Sequence, residues 1–124
     1  MKAVLSNYRQ SPRKVRLVAD VVRGKRVSDA LVMLTMLDKR AALPFKKVIE
    51  SALANAKQQG KNEDALVISK VAVDKGIVGR RFMPRARGSA SPINRRTSHI
   101  VVELAEKEVK AKKAQKPAPK AVAK

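Results

Sequence analysis

Gly79-Arg80-Arg81-Phe82-Met83-Pro84-Arg85-Ala86-Arg87-Gly88-Ser89-Ala90-Ser91-Pro92-Ile93-Asn94-Arg95-Arg96-Thr97 joins two segments that both read as β-strands. Upstream, Leu66–Val73 is β-branched and alternating, and it ends near the turn-like Asp74-Lys75-Gly76. Downstream, Ser98–Leu104 places Ile100, Val102 and Leu104 on one face, and His99, Val101 and Glu103 on the other. Strict alternation of this kind predicts half-buried strands. Hairpin connections usually hold about 2–5 residues, so a link this long is functional or disordered. If its halves run antiparallel, each of about eight residues at roughly 3.3 Å per residue, the arm projects on the order of 25 Å. Residues 80–99 carry six Arg and no acid, and the segment is too poor in apolar residues to fold by itself. With nothing to neutralise it, the arm is ill suited to rest on a basic surface of its own chain, and insertion into nucleic acid is the expected use. Gly88, flanked by Ala86, Ser89 and Ala90, gives a slim tip.

Working outward, helical periodicity dominates the first half. Lys2–Tyr8 forms a short strand, with Ala3 and Leu5 on one face and Val4, Ser6 and Tyr8 on the other. A first helix opens at Ser11 as N-cap with Pro12 at the first helical position, and Gly24 stops it. Val15, Val18, Ala19 and Val22 form its apolar stripe, while Arg13, Arg16, Asp20 and Arg23 lie on a different, mostly basic face. Arg9, Lys14, Lys25 and Arg26 add to that face, and nucleic acid is favoured over simple solvation as its partner. A second helix is expected from an N-cap at Ser28, with Ala30, Leu31, Leu34 and Leu37 buried and Met33 and Met36 filling gaps in the core. A third, capped by Asp38 and tolerating Pro44 in its first turn, buries Phe45, Ile49, Ala52, Leu53 and Ala56, runs to Gln59 and ends at Gly60. Helices in one block and strands largely in another indicate an α+β fold with an antiparallel sheet. The expected organisation is a single unit over 1–105 that includes the arm 79–97. A basic Lys/Ala/Pro tail over 106–124 follows, expected to be disordered.

Composition excludes most other classes. The 124 residues hold 29 Lys+Arg against 10 Asp+Glu, a net charge of +19, which calls for a polyanionic partner. Hydrophobic residues at 44% argue against a wholly disordered polycation. There is no Cys, so disulfide scaffolds, thiol nucleophiles and Cys-ligated zinc are excluded. The one His, His99, has no second ligand or base beside it; a structural role or a phosphate contact is expected of it rather than catalysis. No metal site, cofactor or enzymatic activity is expected, and the isolated Gly76, Gly79 and Gly88 make no nucleotide-binding glycine pattern. No apolar run approaches the roughly 18 residues needed to cross a membrane, so no membrane partner is expected. Only Tyr8, Phe45 and Phe82 are aromatic, which favours recognition through phosphates and shape over base stacking.

The blocks Ser11-Pro12-Arg13-Lys14-Val15-Arg16-Leu17-Val18-Ala19-Asp20, Arg23-Gly24-Lys25, Ser51-Ala52-Leu53-Ala54-Asn55-Ala56, Arg81-Phe82-Met83-Pro84-Arg85-Ala86-Arg87-Gly88 and Arg96-Thr97-Ser98-His99-Ile100 closely resemble, in order, the bacterial large-subunit ribosomal protein L-twenty-two family. The resemblance extends from about Tyr8 to Leu104. It implies three helices on a three-stranded antiparallel sheet with a long extended β-hairpin arm. It further implies a cytoplasmic, ribosome-bound protein without homo-oligomers, whose partners are 23S-type rRNA, neighbouring large-subunit proteins and the nascent polypeptide in the exit tunnel. In that family the protein acts early in subunit assembly. Carried over by position, Arg80, Arg81, Arg85, Arg95 and Arg96 are hairpin RNA contacts, and Arg87, Gly88, Ser89 and Ala90 lie at or near the tunnel tip. The strongest rival is a DNA-architectural protein with a basic β-arm, which accounts for the charge and the arm but not for the third helix or the ordered blocks.

Overall fold

The computed structural model describes residues 1–106. Three strands, β1 (Lys2–Tyr8), β2 (Leu66–Pro84) and β3 (Ala90–Glu106), form one antiparallel sheet in the order β1-β3-β2. The last strand therefore lies between the first two, with Ala3 opposite Val102 on one side and Val71 opposite Val102 on the other. Glu106, expected to open the tail, is the final residue of β3. The rest of the expected tail lies outside the described residues.

Strands β2 and β3 reach well beyond Leu66–Val73 and Ser98–Leu104. Their ladder continues from Val78 opposite Arg96 to Pro84 opposite Ala90, closed by the short 3₁₀ turn Ala86–Gly88. The expected arm is thus a regular two-stranded ribbon, on the order of 20–25 Å long. Asp74-Lys75-Gly76 marks a β-bulge rather than a strand end: the register slips between Lys75 and Val78, opposite Ser98 and Arg96. Thr97 Oγ1 donates to the Ile77 carbonyl at 2.7 Å and fastens the bulge. A Cβ at Gly76 would run into Thr97 Oγ1 and lie 3.1 Å from His99 Nε2, so only glycine fits without displacing them. A second slip between Ile68 and Lys70 shifts the alternation, so that Leu66 and Ile68 are buried before it and Val71 and Val73 after it.

Three helices, α1 (Pro12–Val22), α2 (Val27–Met36) and α3 (Ala42–Gln58), pack on the sheet. In α1, Pro12 holds the first position and Val15, Val18, Ala19 and Val22 are buried, all as read from the sequence. Ser11 occupies the N-cap but makes no side-chain capping bond. The start of α2 differs from expectation. Its N-cap is Arg26, and Ser28 lies inside the first turn. The cause is tertiary: Arg26 bridges to Val67 of β2, which sets the chain in place one residue before buried Val27. Likewise α3 is entered through Ala41 rather than Asp38, with Pro44 inside the first turn as expected.

Met33 (39% exposed) and Met36 (82%) were expected in the core and are not there. Val27, Ala30 and Leu34, backed by half-buried Leu31 and Leu37, seat the short α2 on its neighbours. Phe45 and Ile49 of α3, Val15, Val18 and Val22 of α1, and Leu66, Ile68, Ile100 and Val102 of the sheet are the large, fully enclosed side chains. Burying each contributes roughly 1.5–3 kcal/mol. Among the described residues, no helix is long and apolar enough to cross a membrane.

In the body, β2 is an edge strand, and its outward backbone groups would be open to any passing strand. The first helix and its exit close that edge. Gly24 N–H donates to the Ile68 carbonyl at 2.9 Å and Ile68 N–H to the Lys25 carbonyl at 3.0 Å. Gly24 reaches this position with φ +75, the left-handed conformation that favours glycine after a helix. Arg23 and Arg16 then cover the next two carbonyls, as set out below.

Candidate nucleic-acid interface

The cations expected to meet a polyanion divide by what already holds them. Arg16 Nε and Nη2 both donate to the Val73 carbonyl, at 3.3 and 3.0 Å. Arg23 Nη2 donates to the Val71 carbonyl at 3.2 Å, while its Nη1 pairs with Asp20 at 2.7 Å. Arg16 lies on α1 and Arg23 is its C-cap, and their guanidiniums reach carbonyls two residues apart on β2. They tie helix to strand edge and still present unused N–H groups outward. The exposed Asp20 pair is worth little by itself, on the order of 0–1 kcal/mol. Arg9, Arg13, Lys14 and Arg26 are exposed and Lys25 is half-buried; among the described residues none of their side chains forms an ion pair.

On the arm, cross-strand register decides which side chains share a face. Val78 with Arg96, Arg80 with Asn94 and Phe82 with Pro92 share one face; Gly79 with Arg95 and Arg81 with Ile93 share the other. Arginines thus stand on both sides of the ribbon, which α1 approaches only at its base, beside Arg96. Phe82 is 76% exposed. At the tip, Arg85 Nε donates to Ser91 Oγ at 3.1 Å, and Arg85 N–H donates to the Ser89 carbonyl at 2.8 Å. Ser89 Oγ donates to the Ala86 carbonyl at 2.8 Å. Arg87 and Gly88 turn the chain with φ of 56 and 68. Gly88 adopts that geometry at no steric cost, whereas Arg87 is held in it. Arg87 and Gly88, expected at the tip with Ser89 and Ala90, lie in this turn, and the other two are the residues that follow it.

Body and arm meet in a cleft of about 340 Å³ lined by Ser11, Pro12, Arg13, Arg16, Lys75 and Arg96. The sequence pattern singles out the three arginines but not Lys75. Its signal is indirect: a cation placed just before Gly76, which reads as a strand end and is in fact the bulge that turns the ribbon away from the body. Opposite Lys75 in the ladder, Ser98 is fully buried and its Oγ has no hydrogen-bond partner.

His99 has a structural partner. Its Nδ1 accepts the Asn7 backbone N–H at 3.2 Å, and Asn7 adopts φ 56 at the irregularity of β1 between Leu5 and Tyr8. That contact makes His99 a tie between β1 and β3, with its Nε2 near the bulge. Tyr8 donates to the Arg40 carbonyl at 3.3 Å; burial pushes its phenol up from the ordinary value, partly opposed by the Arg40 charge. Among the described residues, no three His, Asp or Glu side chains converge as a metal site. A family model described as ribosomal protein L22p/L17e matches residues 3–105.

Proposed function

Since this chain belongs to the ribosomal protein L22p/L17e family, and so is a structural constituent of the large ribosomal subunit, we propose that it binds 23S-type rRNA through phosphate and shape contacts, with its arm threaded between RNA segments. On this reading the protein aids early subunit assembly, and the turn at Arg87–Ala90 faces the nascent chain in the exit tunnel. The observation that carries it is the two-sided arm. Residues 80–99 hold six Arg and no acid: Arg80 and Arg96 stand on one face of the ribbon, Arg81 and Arg95 on the other, and Arg85 and Arg87 at its tip. A surface patch would need cations on one face only. A ribbon charged on both faces suits surroundings of RNA, where fixed guanidiniums displace counterions and fork onto phosphates.

The scarcity of exposed aromatics supports recognition by backbone geometry rather than by stacked bases. The body then serves as an anchor, and neighbouring large-subunit proteins are its natural contacts on the side away from the arm. The family assignment describes a structural protein, and catalysis has no part in this reading. The test is incorporation. Wild-type protein should co-sediment with large subunits through moderate salt. The variant with Arg80, Arg81, Arg95 and Arg96 all replaced by Gln should assemble poorly while its isolated body melts as before. Recovery of the wild type mainly with chromosomal DNA would overturn the ribosomal reading of this site.

A further inference from the structure

The cleft between α1 and the base of the arm has a chemistry of its own. Four cations converge on it from three elements: Arg13 and Arg16 from α1, Lys75 from β2 and Arg96 from β3. No acid lines it. Among the described residues the only ion pairs are Arg23–Asp20, Lys57–Glu63 and Lys61–Glu106, so none of the four is neutralised. Bringing four like charges into one concave space is unfavourable unless an anion fills it. Arg16 is already fixed by its two bonds to the Val73 carbonyl, so one side of the cleft is preorganised.

The strand register brings the two sheet cations together. Lys75 and Ser98 are register partners, and Arg96 is two residues before Ser98, so all three side chains stand on the sheet face that meets α1. Ser98 itself is fully enclosed behind them and does not line the cleft. A cleft of about 340 Å³ has room for a phosphate group and several waters, at about 30 Å³ per water.

We propose that this cleft seats a single backbone phosphate of the rRNA, gripped jointly by Arg13, Arg16, Lys75 and Arg96, and that the seated phosphate sets the angle of the arm to the body. The proposal rests on the rRNA-binding reading above. The bulge at Gly76 is where the ribbon leaves the helices, and two of the four cations, Lys75 and Arg96, flank it. An anion held between these two and α1 braces the joint from the open side, as the core cannot do beyond Val73.

A shared grip and scattered grips give different salt dependences. For every phosphate the protein no longer neutralises, the slope of log affinity against log salt falls by about one. For the full chain binding a 23S-type rRNA transcript, the triple variant Arg13→Gln, Lys75→Gln, Arg96→Gln should therefore lower the slope by about one. A fall of about three would mean three separate phosphates and would overturn the proposal. The absence of Cys allows a spin-label pair at Ser51→Cys and Ala90→Cys, both exposed. On RNA binding, its distance distribution should narrow in the otherwise wild-type chain and stay broad in the triple variant; equal narrowing in both would sink the bracing role.

A measurement without the triple variant guards against misfolding. Inorganic phosphate titrated into wild-type protein should shift the amide signals of Arg13, Lys75 and Arg96 before that of Arg81. Even shifts along the arm would overturn the seat. If wild-type protein shows no salt-dependent affinity for the transcript at all, the rRNA reading falls, and the seat with it. If that affinity is present and the slope falls by three, the seat alone fails.

Discussion

Over Leu66–Val73 and over Val78–Pro84, β2 has the same backbone conformation and is hydrogen-bonded to the same partner strand, yet the two halves are held for different reasons. In the first half Leu66, Ile68, Val71 and Val73 are buried beneath the helices, and the outer edge is closed by Gly24, Lys25, Arg23 and Arg16. In the second half every residue from Gly79 to Pro84 is exposed, and the edge carries no such cover. A two-stranded ribbon alone is marginal in water. The body half is therefore stable by its own packing, whereas the arm half has no such packing to draw on. A single strand can pass from one regime to the other because pairing fixes only geometry, and burial supplies most of the free energy.

The largest loss of stability is expected from a cut into the body. Phe45→Ala removes a fully enclosed side chain and should cost about 3–5 kcal/mol, read as a lowered urea midpoint. Replacing Arg81 or Arg95 by Gln should leave that midpoint within about 0.5 kcal/mol. Next in size is the tie at the edge. Arg16→Ala removes two charged hydrogen bonds to the Val73 carbonyl and should cost about 1.5–3 kcal/mol, while its neighbour Arg13→Ala should be near neutral. Equal effects would show that Arg16 is only another solvated cation.

Smaller still is the joint. Gly76→Ala forces Thr97 aside and should cost about 1 kcal/mol, with faster hydrogen exchange confined to the bulge. The smallest effect concerns Tyr8. Its phenol is raised by burial, so its neutral form is the one favoured in the fold. The contribution is complete below the unfolded value near 10.0 and is lost as pH rises through the higher folded value. Above pH 10 the wild-type melting temperature should fall faster than that of Tyr8→Phe, which has no proton to lose.

Local signals were reliable where local chemistry decides. Pro12 and the positive-φ glycines Gly24 and Gly60 marked helix ends, and the stripe of α3 was readable from Phe45 to Ala56. The α+β class and the hairpin followed from where the period changed. Misreadings arose where a distant residue decides. Ser28 has the chemistry of a cap, but the bridge from Arg26 to Val67 starts the helix earlier. Met33 and Met36 match a helical stripe, but α2 turns only part of that stripe inward. Of the candidate interface, the arm was legible as a long hairpin. That Arg16 and Arg23 serve strand carbonyls, and that Lys75 joins Arg13 and Arg96, depends on α1 crossing β2 at one particular level. No spacing in the sequence encodes that.

The strand order has a consequence for how the chain comes to fold. Because β3 lies between β1 and β2, Lys2 finds its partner only at Glu103, so the sheet closes across nearly the whole described chain. Contacts so distant in sequence are slow to form by chance encounter. The hairpin offers a shorter route: pairing that starts at the turn of Arg87 and Gly88 proceeds rung by rung from Pro84–Ala90 inward, and each step brings β3 nearer to its slot beside β1. The arm that reaches outward in the finished molecule is thus also the shortest covalent path between the two strands that must pair.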